Sequence, residues 1–296
     1  MALLRRKDYL PDERLPLELQ QSRVRSDTSP DHGHEFMEMV LVVDGAGTHV
    51  HGSCAYPISR GDLFVIASGQ KHAYVAPRGL EVLLFLYDEA HFLERFPELS
   101  RLSGYGGFFH LEPGLRARHR RLGKVSLPAQ MVSRFTGLAA EIRAEKESRR
   151  EGYALRSALL FAGMLVEICR AFSEDRTPLS RELRRLGDVI STLEARFDES
   201  WSLGGLAALV NVSESTLTRY FKSSTGKTPI EYLTDVRLAR ARSMLLATDL
   251  TVAEVARRSG FADGNYLART FRSRMHMTPS EFRRRGAGTA NAGSGS

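Results

Sequence analysis

Hydrophobic residues near the C-terminus follow the same pattern twice, fifty residues apart. The stretch from Leu217 to Pro229 is repeated, with substitutions, from Leu267 to Pro279. Each copy follows a short apolar segment and a tight turn, an arrangement typical of the two helices of a helix-turn-helix unit. Two such units in one chain predict an all-α domain that binds double-stranded DNA.

The N-terminal part of the chain has a different pattern, in which short apolar runs alternate with glycine turns. Between residues 34 and 86, runs such as Phe36 to Val43 and Leu63 to Ile66 are separated by turns at Gly45 and Gly61. Closely spaced strands with polar turns predict a small β-barrel or sandwich. The predicted fold class is therefore multidomain α and β, with an N-terminal β-barrel and a C-terminal all-α double helix-turn-helix domain.

Helical periodicity begins past residue 86. A glycine-rich loop is expected at residues 104–107, and helices are expected at about 127–146 and 153–172. Apolar residues recur every three or four positions from Leu155 to Cys169, so the second helix has a wide apolar stripe. This stripe either packs on the first helix or forms a dimer seam. The predicted segments are 1–112 for the N-terminal domain, 113–173 for a helical dimerisation region, 174–183 for a linker, 184–285 for the DNA-binding domain and 286–296 for a disordered tail.

Charge and composition agree with a globular protein that binds a polyanion. The 296-residue chain has a formal net charge of +7, and residues 183–285 hold 17 Lys and Arg against 11 Asp and Glu. This local excess favours nucleic acid as a partner. Cys54 and Cys169 are the only cysteines, so neither a disulfide framework nor a zinc ribbon is expected. No run has the length of a membrane span or a signal-peptide core, so we expect a cytoplasmic protein without a membrane partner.

The second helix of each unit presents a polar outward face. Ser213 and Asp263 are the expected N-caps of these helices. In the second unit Tyr266, Leu267 and Phe271 are expected to face the core. Side chains three or four residues apart on the opposite face would meet base edges in a major groove. The predicted DNA-contacting residues are Ser215, Thr218, Arg219 and Lys222 in the first helix and Asn265, Ala268, Arg269 and Arg272 in the second.

The C-terminal motifs resemble the AraC/XylS family of bacterial transcription regulators. The resemblance covers roughly residues 183–285 and is carried by Arg237-Leu-Ala-Arg-Ala241, Gly260-Phe261 and Thr278-Pro279, among others. A homodimer formed by the helix pair is expected, with promoter DNA and RNA polymerase as partners. The base contacts that the resemblance implies fall on Ser215, Thr218 and Arg219 and on Asn265, Ala268 and Arg269.

The second unit departs from the family pattern at His276, where the family usually has Gly and where the first unit has Gly226. A helix end that requires positive φ tolerates histidine poorly, so we expect a less stable second unit. Gly264 and Ala268 also offer few hydrogen bonds. The first unit is therefore expected to discriminate bases, and the second mainly to hold the DNA backbone.

Histidines and a glutamate recur at strand spacing in the N-terminal domain. His32, His34 and Glu38 have the same parity, so an extended strand would turn them to one face. His72, from a later strand, would complete three imidazoles and one carboxylate. That donor set suits Zn, Fe, Ni or Mn. The face expected to line the barrel holds His32, His34, Phe36, Glu38, Val40 and Val42, with His49 and His72 from other strands.

The same positions match the metal-binding pattern of cupins, apart from Ala67 and Ala76 at positions that are usually Pro and Asn. Over about residues 31–172 the chain also looks like the sensor half of L-rhamnose-responsive regulators, which implies a sugar effector. Three interpretations stay open: a cupin-like effector pocket, a divalent-metal site, or histidines with neither role. The pocket would use His32, His34, Glu38, His49 and His72, and the metal site His32, His34, Glu38 and His72.

The function predicted from these features is that of a ligand-responsive transcription activator without catalytic activity or a certain cofactor. The alternative is a metal-dependent cupin oxygenase or isomerase fused to a DNA-binding module.

Overall fold

Two long antiparallel strands dominate the N-terminal sheet in the computed structural model, which describes residues 2–24, 32–52, 54–113, 124–175 and 177–291. The longer pairing joins Met37–His51 to Lys71–Tyr87, with Met37 opposite Tyr87 and His51 opposite His72. Shorter strands pair with both, which gives one eight-stranded sheet. The strands are β1 (Ala2–Leu4), β2 (Leu17–Arg23), β3 (His32–His34), β4 (Met37–His51), β5 (Cys54–Ser59), β6 (Asp62–Ile66), β7 (Lys71–Tyr87) and β8 (Val125–Ser126).

The sheet bends where β4 and β7 change register, between Val42 and Thr48. Gly45 lies in this bend with φ +72°, and a Cβ there would lie 2.1 Å from the carbonyl oxygen of Gly79. Only glycine fits such a position. The bent strands enclose an apolar core made of Val40, Val42, Tyr56, Ile58, Phe64, Ile66, Tyr74, Leu80 and Val82.

Helices make up most of the described chain beyond the sheet. The chain divides into two compact structural units. One consists of Met1–Ser191 with Tyr220–Gly226, and the other of Thr192–Arg219 with Lys227–Ser296. The predicted sheet-rich N-terminal domain and helical C-terminal domain are therefore confirmed. The helices are α1 (Arg6–Tyr9), α2 (Glu89–Arg95), a 3₁₀ turn (Pro97–Arg101), α3 (Ser103–Tyr105) continued by a π-helical turn (Gly106–Leu111), α4 (Ala129–Ser148), α5 (Tyr153–Glu174), α6 (Pro178–Ala195), α7 (Leu203–Leu209), α8 (Glu214–Thr225), α9 (Pro229–Ala247), α10 (Val252–Arg258), α11 (Gly264–Met275) and α12 (Pro279–Asn291).

The glycine-rich segment at residues 104–107 is helical, whereas the sequence predicted a loop. A Cβ at Gly104 would lie 2.4 Å from the carbonyl oxygen of Cys169 on α5, and a Cβ at Gly107 would lie 2.8 Å from that of Leu183 on α6. The missing side chains let the three helical backbones touch, and this tertiary packing outweighs the low helix propensity of glycine. In the same segment Tyr105 donates a hydrogen bond to Glu89 at 2.9 Å, and His110 Nε2 is also 2.9 Å from Glu89.

Two predicted boundaries differ from the structure. Helix α6 begins at Pro178, inside the expected linker 174–183, because Thr177 accepts a hydrogen bond from the Ser180 N–H at 3.2 Å and proline suits the first helical position. Helix α12 begins with a capping box between Thr278 and Glu281. It continues to Asn291, beyond the boundary expected for a disordered tail, and residues 292–296 lie outside the described chain.

The second helix-turn-helix unit has its own apolar core. Leu267 and Phe271 of α11 pack with Val255 and Ala256 of α10. The same cluster includes Leu238, Ala241 and Leu245 of α9, the helix that connects the two units. The sequence predicted this connector at residues 230–248, and the structure has it at Pro229–Ala247. No helix of the described ranges has both the length and the apolar composition of a membrane span.

Candidate functional site

The five residues expected to bind an effector lie on three neighbouring strands. His32 and His34 are on β3, Glu38 and His49 on β4, and His72 on β7. Both β3 and β4 pair with β7, so the sheet brings all five residues to one region. His32 is half-buried and the other four are buried.

A continuous series of polar contacts runs through this cluster. The Tyr56 hydroxyl lies 2.5 Å from His49 Nδ1, and His49 Nε2 lies 3.3 Å from His72 Nδ1. On the other side of that ring, His72 Nε2 lies 3.7 Å from Glu38 Oε2, and His34 Nε2 lies 3.4 Å from the same oxygen. We call these five residues the polar chain. Hydrogen bonds among Tyr56, His49 and His72 offset part of the cost of burying these polar groups.

Hydrogen bonding and burial indicate the protonation of one end of the polar chain. His34 Nδ1 lies 2.7 Å from the carbonyl oxygen of Phe36, which only accepts, so this nitrogen carries the proton. Burial lowers the pKa of His34 to about 4, and its Nε2 is therefore an acceptor at neutral pH. Burial raises the pKa of Glu38 to about 8. A neutral carboxyl group facing a neutral imidazole results.

Tyr56 was missed by reasoning from the sequence, and the expected orientation of Phe36 was wrong. Tyr56 belongs to β5, in which Cys54, Tyr56 and Ile58 are buried and alternate residues are exposed, so strand alternation was the available signal. Phe36 packs with Leu10 and Leu86 instead of joining Val40 and Val42. The chain bends between β3 and β4, and this bend breaks the parity that the prediction assumed.

Three of the four predicted metal ligands form a compact group of donors. Donor atoms of His32, Glu38 and His72 all lie within 4.8 Å of one another. His34 is outside this group. Two imidazoles and a carboxylate suit a borderline divalent ion, which would require the donors to close to bonds of about 2.0–2.2 Å. His49, next to His72 Nδ1, is placed to orient that ligand.

Helix α8 presents the residues expected to contact DNA in the first unit. Ser213 caps the helix by accepting a hydrogen bond from the Thr216 N–H at 3.2 Å, as predicted. Of the four expected contact residues, Ser215, Arg219 and Lys222 are exposed and Thr218 is half-buried.

Helix α11 brings the four expected contact residues of the second unit to one surface. Asn265, Ala268, Arg269 and Arg272 line a single open concavity on this helix. Asp263 caps the helix by accepting a hydrogen bond from the Tyr266 N–H at 2.7 Å, as predicted. Tyr266 itself is 40% exposed, which corrects the expectation that it faces the core.

The two units differ at both ends of these helices. Val212 and Phe261 occupy equivalent places in the two turns, since each donates its N–H to the carbonyl oxygen five residues earlier. Val212 directly precedes the cap Ser213, whereas Ala262 lies between Phe261 and the cap Asp263, so the second turn is one residue longer. At the C-terminal end His276 has φ +55° and ψ +24°, the left-handed conformation. Gly226 has φ +75° at the same place in the first unit. The structure therefore places histidine where the backbone favours glycine.

Two helix-turn-helix units in the same chain as a sheet-rich ligand-binding domain define a one-component transcription regulator. Residues 14–163, half of the chain, match the family described as AraC-like ligand binding domain. Residues 206–285 match the family described as helix-turn-helix domain. The chain therefore belongs to the AraC family of transcription regulators.

Relatives similar along most of the chain are transcriptional activators. The HTH-type transcriptional activator RhaR of Enterobacter sp. (strain 638) is 30% identical over 256 residues, which cover 86% of this chain and 87% of the relative. The activator of the same name from Salmonella dublin is 29% identical and covers 95% and 96%. The AraC-type DNA-binding domain structure from Chromobacterium violaceum is 32% identical over 36% of this chain and 95% of its own, with a TM-score of 0.34.

Proposed function

We propose that the chain activates transcription from promoter DNA when a neutral, polyhydroxylated small molecule, a sugar, binds in the N-terminal sheet domain. The observation that carries the effector class is the polar chain from Tyr56 to His34. It offers phenol, imidazole and carboxyl groups that both donate and accept hydrogen bonds. A sugar has the same mixture of donors and acceptors on its hydroxyl groups.

Electrostatics favour a neutral effector over an anionic one. Burial raises the pKa of Glu38 to about 8, so adding an anion beside this carboxyl group would oppose its ionisation and would itself lose hydration. The neighbouring rings of His49 and His72 are buried and hydrogen-bonded to each other. These groups suit hydroxyl recognition better than salt-bridge formation.

Thermal denaturation of the full-length chain with a panel of neutral six-carbon sugars and the matching sugar acids tests this effector class. A neutral sugar at saturating concentration should raise the midpoint temperature of unfolding, since only the folded form binds the sugar. Tyr56→Phe, which removes one hydroxyl of the polar chain, should reduce the shift, and Glu94→Gln, at an exposed position on α2, should not. A shift caused by the acids alone would refute a neutral effector.

We propose that both α8 and α11 bind the promoter, in successive major grooves. The exposed side chains of α8 and the concavity of α11 support this arrangement, as does the length of the connector α9, Pro229–Ala247. Selection of DNA from a random library should recover a site with two half-sites about one helical turn apart. Recovery of a single half-site would refute binding by both helices.

A homodimer is proposed to form through an apolar strip on α5. The apolar stripe predicted for this helix is only partly buried in the structure. Ala158, Leu165 and Cys169 are buried. Leu155 and Leu159 are 53% and 54% exposed one helical turn apart. Such paired leucines suit packing against the same helix of a second copy.

Light scattering of the full-length chain tests the dimer. Leu155→Glu with Leu159→Glu should produce a monomer, because two charges would be buried at the seam. Leu246→Glu is the matched control, since Leu246 is 55% exposed on α9. A double variant that stays dimeric would refute this seam.

Activation is proposed to require RNA polymerase, as the resemblance implies and as the activator relatives suggest. Transcription from a promoter carrying the selected site should rise with the effector in a reaction that contains only polymerase and this chain. A fall in transcript would identify a repressor.

A divalent ion is a second candidate for the barrel, favoured by the grouping of His32, Glu38 and His72. Such an ion would add charge that polarises hydroxyl groups of the effector. Metal content of untagged protein tests it, with Glu38→Gln expected to lower the stoichiometry; less than about a tenth of an equivalent would refute it. The alternative of a cupin enzyme is disfavoured because the chain belongs to a family of transcription regulators, and this conclusion does not depend on the metal content of the site.

A further inference from the structure

One carboxylate on the connector helix α9 is paired with cations from both helix-turn-helix units. Asp235 Oδ2 lies 2.5 Å from Lys227 Nζ, and Asp235 Oδ1 lies 3.8 Å from Arg274 Nε. The Asp235 side chain is 27% exposed, while those of Lys227 and Arg274 are 45% and 46% exposed. The two oxygens of a single side chain therefore each face a cation from a different unit.

The two cations lie near the C-terminal ends of the two recognition helices, although at different positions of the repeat. Lys227 directly follows Gly226, the left-handed residue after α8, and Arg274 lies in the last turn of α11. Asp235 thus connects the residues at the C-terminal ends of both recognition helices to the helix between them. The apolar core of the second unit holds α11 through Leu267 and Phe271, and Met275 packs against that core at the end of the helix, next to the ion pair of Arg274.

We propose that Asp235 is a positioning residue that fixes the spacing and rotation of the two recognition helices for half-sites one DNA turn apart. Apolar packing resists separation of helices but discriminates weakly between small rotations, whereas a carboxylate shared by two cations has a preferred geometry. One added base pair rotates a half-site by roughly 35°. A protein with fixed helices should bind such a site poorly.

The same contact also restrains two positive charges at the ends of the helices proposed to bind DNA. Loss of the Asp235 charge would leave Lys227 and Arg274 more available to phosphates, which bind in a way that does not depend on sequence. A variant without this carboxylate can therefore retain or gain overall affinity while it loses spacing discrimination. Spacing discrimination, not affinity, is the quantity that separates positioning from ordinary stabilisation.

The test uses full-length chain and DNA of about 30 base pairs, roughly three helical turns, selected by the wild-type protein from a random library. Dissociation constants are measured for the selected site and for the same site with one base pair inserted between its half-sites. The ratio of the two constants should fall by about threefold to fivefold in Asp235→Asn, the factor expected for a partly exposed ion-pair network. Arg274→Gln should lower the ratio by a smaller factor, because one of the two contacts remains.

Glu199→Gln is the matched control. It removes a carboxylate whose exposed ion pair, with Arg196 three residues earlier, does not join the two helix-turn-helix units. Its ratio should equal that of the wild-type chain. Thermal denaturation of each variant checks folding, and Arg274→Gln provides the measurement if Asp235→Asn does not fold. An unchanged ratio in both variants, or a wild-type chain indifferent to the insertion, would overturn the inference while leaving DNA binding in place. The inference rests on binding by both helices, so a wild-type chain that selects only one half-site overturns both.

Discussion

Replacing His276 by glycine should stabilise α11, the helix of the second unit that is proposed to bind DNA. His276 follows α11 with φ +55° and ψ +24°, a conformation that costs an L-residue roughly 1–2 kcal/mol. The greater freedom of glycine in the unfolded chain offsets about 0.5–1 kcal/mol of this gain. His276 is exposed, so little packing is lost. The net stabilisation expected for His276→Gly is about 0.5–1 kcal/mol.

Hydrogen exchange of the full-length chain measures this effect where it arises. The His276 N–H donates to the carbonyl oxygen of Arg272 at 2.9 Å, and the protection of this last turn of α11 should rise about twofold to fivefold. Arg149→Gly is the matched control, because Arg149 has φ +46° after α4. This replacement should raise the hydrogen-exchange protection of the last turn of α4 and leave the protection of α11 unchanged. Greater protection in Arg149→Gly without any in His276→Gly would refute backbone strain as the reason for a weak second unit.

Three other predictions concern packing, pH and DNA recognition. Gly104→Ala should destabilise the N-terminal unit by about 1–3 kcal/mol, since its Cβ would meet the backbone of α5; Gly163→Ala, where nothing lies within 4 Å, should be neutral or stabilising in the same unfolding assay. Burial alone would raise the pKa of Glu89, but His110 and the Tyr105 hydroxyl lower it below the ordinary 4.5. The stability contributed by Glu89 is therefore present above about pH 4.5 and lost as the pH falls through the lower folded-state pKa, so Glu89→Gln should flatten the acid side of the melting profile, and an unaltered profile would contradict this. Arg219→Ala should cost about 1–3 kcal/mol on the selected site and reduce base discrimination more than Arg269→Ala does; equal losses of discrimination would refute the asymmetry between the units.

The elements of the C-terminal domain were predictable because their signals are local. Ser213 and Asp263 precede their helices in the sequence and accept the capping hydrogen bonds expected of them. The repeat alone, through the correspondence of His276 with Gly226, predicts a left-handed residue at the end of each helix, as the structure has it. Each inference required only a few adjacent residues and one repeat.

The N-terminal site was predictable only in part because its geometry depends on contacts between distant residues. Parity correctly grouped His32 with Glu38, but it failed at Phe36, where the chain bends between two strands. Tyr56 joins the polar chain through a strand pairing that places it opposite His49. The helical state of residues 103–111 depends on α5 and α6, which lie far along the sequence. Local propensity contains no information about such neighbours.

The effector-binding role proposed for the polar chain depends on the same physical feature that makes the chain hard to predict. Its members are held by one another across several strands, so a molecule that adds hydrogen bonds to Glu38 or His72 stabilises one arrangement of the whole sheet rather than one residue. An effector present at a hundred times its dissociation constant contributes about 2.7 kcal/mol to that arrangement. This free energy changes DNA binding only to the extent that the DNA-bound and free forms differ in affinity for the effector. Effector response therefore depends on the difference between those two affinities and not on tight binding in the N-terminal domain alone.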